Sequence, residues 1–305
     1  VLEKNFSNIF HYIMNIEHIV FSGGGPVGFP QFAAMKYLVD ASYVDLTNIK
    51  SIYCTSAGCF NGIVFALKYD LEQIYKYLLE RPWEKEFDIK PSTAIFNIFN
   101  SKGIYDTTFF EKILHPVLLG ANLDINITLN EFYNHTEVDL HFFTSEFNTL
   151  KSVDINHKDF PDLKLIDALH MSSGLPLIFT PYTDSNNYYV DGGLMNNFPL
   201  DNCIKNNNIE NTDSILAFKN LNDGNYINLL NSDSDISQIV ITMIRKLTKL
   251  LAVPQNENVT YTINIYTKGI NLESMINMLQ KENRLQLLES GVEYSRLFLE
   301  YHKLL

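Results

Sequence analysis

Three short segments carry residue types suited to chemistry, and each comes after a stretch that reads as a β-strand. The first is Gly23-Gly24-Gly25-Pro26-Val27-Gly28, after the apolar His18-Ile19-Val20-Phe21. It satisfies G-x-G-x-x-G between a strand and a helix, the pattern in which bare backbone approaches a pyrophosphate at a helix N-terminus. The same backbone can point N–H groups at an oxyanion that develops during acyl transfer. A purely structural glycine turn is the third reading. The second segment is Thr55-Ser56-Ala57-Gly58, between an apolar run at 49–53 and a helical run through Leu67. A serine on a sharp strand-to-helix turn exposes Oγ and has the next N–H groups at a helix start, the posture of a nucleophile. A lone S-x-G is also a common helix cap. The third segment is Asp191-Gly192-Gly193, after Tyr188-Tyr189-Val190. It reads either as an ordinary turn or as a carboxylate presented at a strand end, close to a substrate or nucleophile.

Together the three segments resemble the patatin-like phospholipase family. That family has a glycine-rich loop after its first strand, a G-x-S-x-G elbow after its second, and Asp-Gly-Gly or Asp-Gly-Ala far downstream. Ser172-Ser173-Gly174-Leu175-Pro176-Leu177-Ile178-Phe179 is similar to the segment before the family's aspartate, and Asn197-Phe198-Pro199 to the segment after it. The resemblance runs from about His18 to Leu200. It implies an α/β fold of three layers, α/β/α, with a mainly parallel central sheet. It also implies a serine carboxylic-ester hydrolase of the phospholipase A type, cleaving fatty-acyl esters of glycerophospholipids with no cofactor and no metal. By the same resemblance Ser56 is the nucleophile and Asp191 the base of a Ser-Asp dyad working through an acyl-enzyme. Gly23, Gly24, Gly25, Gly28, Ala57 and Gly58 then form the oxyanion and substrate-binding set, with Gly192 and Gly193 supporting the aspartate. A carboxylate of ordinary pKa, about 3.9, is a weak base for an alcohol, so such a site must be partly dry.

Two positions depart from the family pattern. Cys54 stands where the elbow has its first glycine, which would tighten the turn, and Val27 stands where many relatives carry Arg or Lys. They motivate an alternative, a catalytically inactive lipid-binding or scaffold protein on the same fold. A dinucleotide-binding oxidoreductase, with Asp45 at the ribose, is the alternative of different chemistry; it leaves the elbow and Asp-Gly-Gly unexplained. Among the histidines, His170 is nearest in sequence to the third segment but reads as packing, and His115 as a helix end before Pro116. No H-E-x-x-H or other metal-ligand spacing occurs.

The elements that must position these residues emerge from periodicity. Strand, glycine turn, helix, strand, tight turn and helix over the first 67 residues is the rhythm of a parallel sheet. Residues 71–136 read as helix and loop with Pro82, Pro91 and Pro116 as breaks, and 139–146 with 151–155 as a hairpin. A helix is expected at 165–172, strands at 188–190, 214–219 and 261–266, and a closing helix at 284–304. Ile95, Phe96, Ile98, Phe99, Ile104 and Tyr105 form an apolar, aromatic stretch suited to core packing, an acyl channel or bilayer contact. Residues 236–253 are amphipathic, with Arg245, Lys246 and Lys249 beside the apolar face, and suit sheet docking, a homodimer contact or an interfacial helix. The division expected is an N-terminal extension at 1–17, a catalytic core at 18–202, and an α/β remainder at 203–305 on the same domain.

Composition bounds the rest. A chain of 305 residues, 46% hydrophobic and 19% charged, buries a full core. A formal net charge of −12 argues against nucleic acid as a partner. Cys54, Cys59 and Cys203 make neither an even set nor a Cys-x-x-Cys pair and read as buried hydrophobes in a reducing compartment. Residues 1–18 mix Glu3, Lys4, Asn5 and Asn8 among apolar residues, without the basic head and apolar core of a secretory signal. A cytoplasmic location is expected, with a lipid substrate met at a membrane surface by peripheral contact and a homodimer as a further partner state.

Overall fold

The computed structural model of the protein describes residues 14–86, 90–222, 259–267 and 280–304, with single residues between 230 and 250 and at 277 and 278. Its central strands are apolar on both faces, as a parallel sheet covered on both sides requires. Strands β1 (His18–Phe21) and β2 (Ser51–Thr55) place Ile19, Phe21, Ile52 and Cys54 in one core, and Val20 and Tyr53 in the other. The strand expected at 49–53 starts two residues later. Asp45 caps a 3-10 turn at Leu46–Asn48, and that turn holds Ile49 through its N–H to Leu46 O.

The short strand β3 (Gly103–Tyr105) lies outside the main sheet, whose next member is β4 (Asp139–Glu146), joined to β5 (Lys151–Ile155) as the expected hairpin. The remaining strands are β6 (Leu177–Phe179), β7 (Tyr182–Asp184), β8 (Asn187–Asp191), β9 (Ile215–Asn222) and β10 (Tyr261–Thr267). The main sheet runs β10-β9-β1-β2-β4-β8-β7, with β5 also on β4, and β3 pairs separately with β6. From β10 to β4 all pairings are parallel; β5, β8 and β7 are antiparallel additions.

Helices α1 (Gly28–Asp40) and α2 (Ala57–Ala66) cover one face of this sheet. Between β2 and β4 come α3 (Leu71–Glu80), α4 (Trp83–Glu86), α5 (Pro91–Ser101), α6 (Thr107–Gly120) and α7 (Leu129–Thr136). Helix α8 (Leu165–Ser173) comes after β5, and α9 (Leu200–Asn206) packs Leu200 and Cys203 on the opposite face against Val20, Tyr53 and Phe143. The closing helix α10 (Lys281–Tyr301) lies on α1, where Ser295 Oγ donates to Ala34 O at 2.9 Å. The arrangement is a mainly parallel sheet between helical layers.

One expectation meets a different outcome. Pro116 does not break its helix but lies inside α6, with His115 exposed beside it. Proline removes the N–H that would bond the carbonyl four residues back; here Arg81 Nη1 donates to that carbonyl, Lys112 O, at 2.9 Å. Met14 and Ile16 are buried in the core, ahead of the boundary expected at His18. Most of the amphipathic segment at 236–253 lies outside the described residues, as do residues 1–13.

At the start of β4, His141 stacks on Tyr53 with centroids 4.1 Å apart, and its Nδ1 lies 2.9 Å from Asp154 Oδ1. Asp139 Oδ1 is 3.3 Å from Nε2, poorly aligned for a hydrogen bond but close enough to act through charge. Burial pulls the imidazole pKa down, and the two carboxylates outweigh it and carry it to about 9. A folded pKa above the unfolded 6.5 means that this stabilisation is complete below pH 6.5 and is lost as pH rises through 9. Wild-type unfolding free energy is therefore expected to fall by about 2–3 kcal/mol between those limits from this group, and His141→Gln to flatten the decline. Chemical denaturation across that range measures it; an equal decline in both proteins removes His141 as its source.

Candidate active site

Ser56 stands directly after the last residue of β2 and before α2, and it has φ 52° and ψ −128°. A non-glycine residue at positive φ is strained, and such strain concentrates where a side chain must be presented in one direction. The turn closes tightly because a Cβ at Gly58 would stand 2.8 Å from Phe21 Cβ and Ser22 O. Cys54 lies in β2, two residues before Ser56. It is fully buried, donates to His141 O at 3.2 Å, and fills the space opposite Gly62.

Asp191 ends β8. Its backbone N–H donates to Gly174 O at 3.0 Å, and its backbone carbonyl accepts from Ser145 Oγ at 3.0 Å. The next residue must be glycine, since a Cβ on Gly192 would fall 1.9 Å from Phe143 O. The Asp191 carboxylate accepts from Gly193 N at 2.7 Å through Oδ1 and from Ser56 Oγ at 2.6 Å through Oδ2. Residues 135 apart in sequence thus meet in one short hydrogen bond. Burial raises the carboxyl pKa to about 6, against the lowering effect of the bonds from Ser56 and Gly193. The result is a carboxylate next to a hydroxyl, dry enough to hold a proton near neutrality.

The glycine-rich loop runs beside this pair. Gly23 lies against Ser56, its N–H given to Asn197 O at 3.0 Å and its carbonyl accepting from Asn197 and Asn220 side chains at 3.3 Å. Its N–H therefore faces the chain and not the site. Gly25 opens a 3-10 turn at φ 54°, and Ala57 opens α2. N–H groups at such starts have no acceptor within their own helix and are available to a ligand. Gly28 begins α1 against Ala57, and its carbonyl accepts from Asn61 Nδ2 at 2.9 Å. Ser56 and Asp191 meet in this geometry, with Gly23 against Ser56 and Gly28 against Ala57.

Sequence reasoning assigned no role to the residues that hold the pair. Ser56 N–H donates to Ser172 Oγ at 3.0 Å, and Ser172 Oγ donates to Phe143 O at 2.6 Å. The end of α8 thus fastens Ser56 through Ser172 and Asp191 through Gly174. Asn197 and Asn220 hold the loop, and Gln31 Nε2 donates to Ser22 O at 2.9 Å. The available signals were the small-residue run Ser172-Ser173-Gly174 at a helix end and the segment Asn197-Phe198-Pro199.

The alternatives are occupied elsewhere. His170 Nε2–H donates to Thr180 O at 2.6 Å, its Nδ1 lies 2.9 Å from Thr107 Oγ1, and burial lowers its pKa. It is a packed, neutral histidine. Asp45, the ribose contact of the dinucleotide alternative, accepts from Thr47 N at 2.8 Å as a cap. Among the described residues no group of three or more His, Cys, Asp or Glu could hold a metal ion.

Residues 19–204 match the family model described as Patatin-like phospholipase, which is more than half of the chain. Among viral proteins, the chain is 26% identical over 186 residues to Uncharacterized protein R571 of Acanthamoeba polyphaga mimivirus, covering 61% of this chain and 60% of that protein. It is 25% identical over 211 residues to Probable lipid hydrolase 463L of Invertebrate iridescent virus 6, covering 67% of this chain and 69% of that one. The matches thus span about 60–69% of the length of these relatives. Among solved structures, VipD from Legionella pneumophila aligns with a TM-score of 0.49 at 14% identity, over 91% of this chain and 67% of that one.

The geometry makes two stability measurements decisive. An acid with pKa about 6 folded and 3.8 unfolded makes the fold less stable as pH rises between those values. Asp191→Asn is therefore expected to be more stable than wild type by about 1–3 kcal/mol at pH 8, with the difference vanishing below pH 4. Urea unfolding at the two pH values decides it, and a variant weaker than wild type at both contradicts the buried carboxylate. Ser172→Ala leaves Ser56 N–H and Phe143 O without their partner and is expected to cost about 1–3 kcal/mol. A neutral substitution would show that the elbow holds itself.

Proposed function

Since the chain belongs to the patatin-like phospholipase family, we propose that it is a lipid acyl hydrolase that cleaves fatty-acyl esters of glycerophospholipids through Ser56 and Asp191. The observation that carries this reading is the 2.6 Å hydrogen bond from Ser56 Oγ to Asp191 Oδ2. The name of the iridescent virus relative, a probable lipid hydrolase, points the same way.

In the first half-reaction Ser56 Oγ attacks the ester carbonyl carbon while Asp191 Oδ2 takes its proton. The carbonyl oxygen becomes an oxyanion, received by the N–H groups of Gly24, Gly25 and Ala57 at the start of α2. The helix dipole adds to these donors without any charged side chain, so the valine at position 27 costs the site nothing that backbone supplies. Collapse of the tetrahedral intermediate breaks the bond to the leaving alcohol, which takes the proton from Asp191. A water molecule then repeats the sequence on the acyl-enzyme, with Asp191 as its base, and the fatty acid leaves. A base with pKa about 6 is ionised at neutral pH and still basic enough to assist. No step calls for a cation or a cofactor.

The test is turnover of a phospholipid panel and of a soluble short-chain ester. Ser56→Ala and Asp191→Asn are each expected to lower kcat by roughly 1,000-fold or more with the circular dichroism spectrum unchanged. On the soluble ester, wild-type kcat/KM should fall tenfold per pH unit below about 6 and level off above it, because the carboxyl must be ionised to act. A serine-directed fluorophosphonate should label Ser56. Normal turnover by either variant defeats the mechanism. An unlabelled, inactive wild type leaves the lipid-binding scaffold as the better reading.

A further inference from the structure

Helix α5 presents an apolar face to solvent that nothing in the catalytic proposal uses. Ile95, Phe96 and Phe99 are 58%, 65% and 83% exposed. Their spacing of three and four puts them on one side of the helix. The opposite side is tied down, with Asn97 Nδ2 donating to Ile104 O at 3.0 Å. The side chains expected to pack in a core or line a channel thus divide: Ile104 and Tyr105 pack against the core, and the helix carries its phenylalanines outside. Scattered single apolar residues on a surface are ordinary, but an aromatic cluster on one helix face is not.

Charge says what this face would meet. From residue 90 to 105 the chain has Lys90 and Lys102, and no Asp or Glu, in a protein of formal net charge −12. Both lysines are exposed, one at each end of α5. An apolar face with a lysine at each end, and with Asp88 and Asp106 only beyond them in the chain, is complementary to an anionic bilayer surface, with rings among the acyl chains and ammonium groups at the phosphates. Position says why it would matter. Strand β3 begins directly after α5 and pairs with β6, Gly103 opposite Leu177. Leu177 is three residues from Gly174, at most about 10 Å along the chain, and Gly174 O accepts the backbone N–H of Asp191. The same ribbon that carries α5 therefore springs from the segment holding the candidate dyad.

We propose that α5 seats the protein on anionic membranes, its Ile95, Phe96 and Phe99 entering the bilayer and Lys90 and Lys102 engaging lipid phosphates. The identity of the surface as a source of substrate rests on the acyl-hydrolase reading; the docking is measured separately from it. Among the described residues no helix is long and apolar enough to cross a membrane.

The test is flotation of the full chain with phosphatidylcholine vesicles, with and without phosphatidylglycerol. Wild type should float best with the anionic vesicles. The triple variant Ile95→Ser, Phe96→Ser, Phe99→Ser should lose about tenfold or more in partitioning to both. Lys90→Glu with Lys102→Glu should lose a similar factor on the anionic vesicles alone. A Phe99→Trp reporter should be quenched by dibrominated lipid, whereas the buried native Trp83 should not. Hydrolysis of the soluble ester should be unchanged in the triple and double variants, so a dead site and a wrong docking helix give different results. A wild type that does not float, or a triple variant that floats as well as wild type, overturns the proposal. So does a wild-type oligomer that the triple variant disperses in the absence of vesicle binding.

Discussion

Strand β4 is the ruler against which the site is measured. The last residue of β2, Thr55, pairs with Phe143, and the last residue of β8, Asp191, pairs with Thr144. Two strands that run in opposite directions therefore end against neighbouring residues of a third, and the turns at those two ends are forced into contact. The polar groups of β4 at this point serve the same purpose. Phe143 O receives Ser172, Thr144 Oγ1 donates to Met171 O and Val190 O, and Ser145 Oγ donates to Asp191 O. A slip of β8 by one residue would turn the carboxylate to the other face of the sheet. It would also drive the backbone at position 192 off its close approach to Phe143 O.

This arrangement stores free energy at the residues it brings together. Ser56 is held at positive φ, and Asp191 is only 7% exposed with its carboxyl pKa raised by burial. Both cost stability, and both are what a hydroxyl nucleophile and a carboxylate base need. The surroundings offset the cost with neutral hydrogen bonds to the backbone and not with charge: the site's anchors are the side chains of Ser172, Asn197 and Asn220 and the carbonyl of Gly174. A charged cluster sits at the other end of β4, where His141 lies between Asp139 and Asp154.

The two residues that meet in the candidate site were legible in sequence because each needs a local signature. Ser56 needs small neighbours on a strand-to-helix turn, and Asp191 needs glycines behind it. The hairpin of β4 and β5 was legible from two runs separated by the short turn Phe147-Asn148-Thr149-Leu150. The features that stayed hidden depend on partners distant in the chain. Nothing around Pro116 announces that Arg81 will take the freed carbonyl. Nothing near Ser172 announces that its hydroxyl will bridge Ser56 to Phe143. The start of β2 was misplaced because the apolar Ile49 reads as strand, although the capped turn before it claims its N–H. The exposure of Phe96 and Phe99 was equally hidden, since an apolar helix side reads the same whether it faces a core or solvent.

A crystal structure of the protein treated with an alkyl fluorophosphonate tests the contact of positions 56 and 191 most directly. The expected result is phosphorus bonded to Ser56 Oγ, Asp191 still within hydrogen-bond reach of that oxygen, and the phosphoryl oxygen facing the N–H groups of Gly24, Gly25 and Ala57. A phosphonyl group on another residue, or an adduct whose oxygen points away from those groups while Asp191 lies on a separate face, would contradict it.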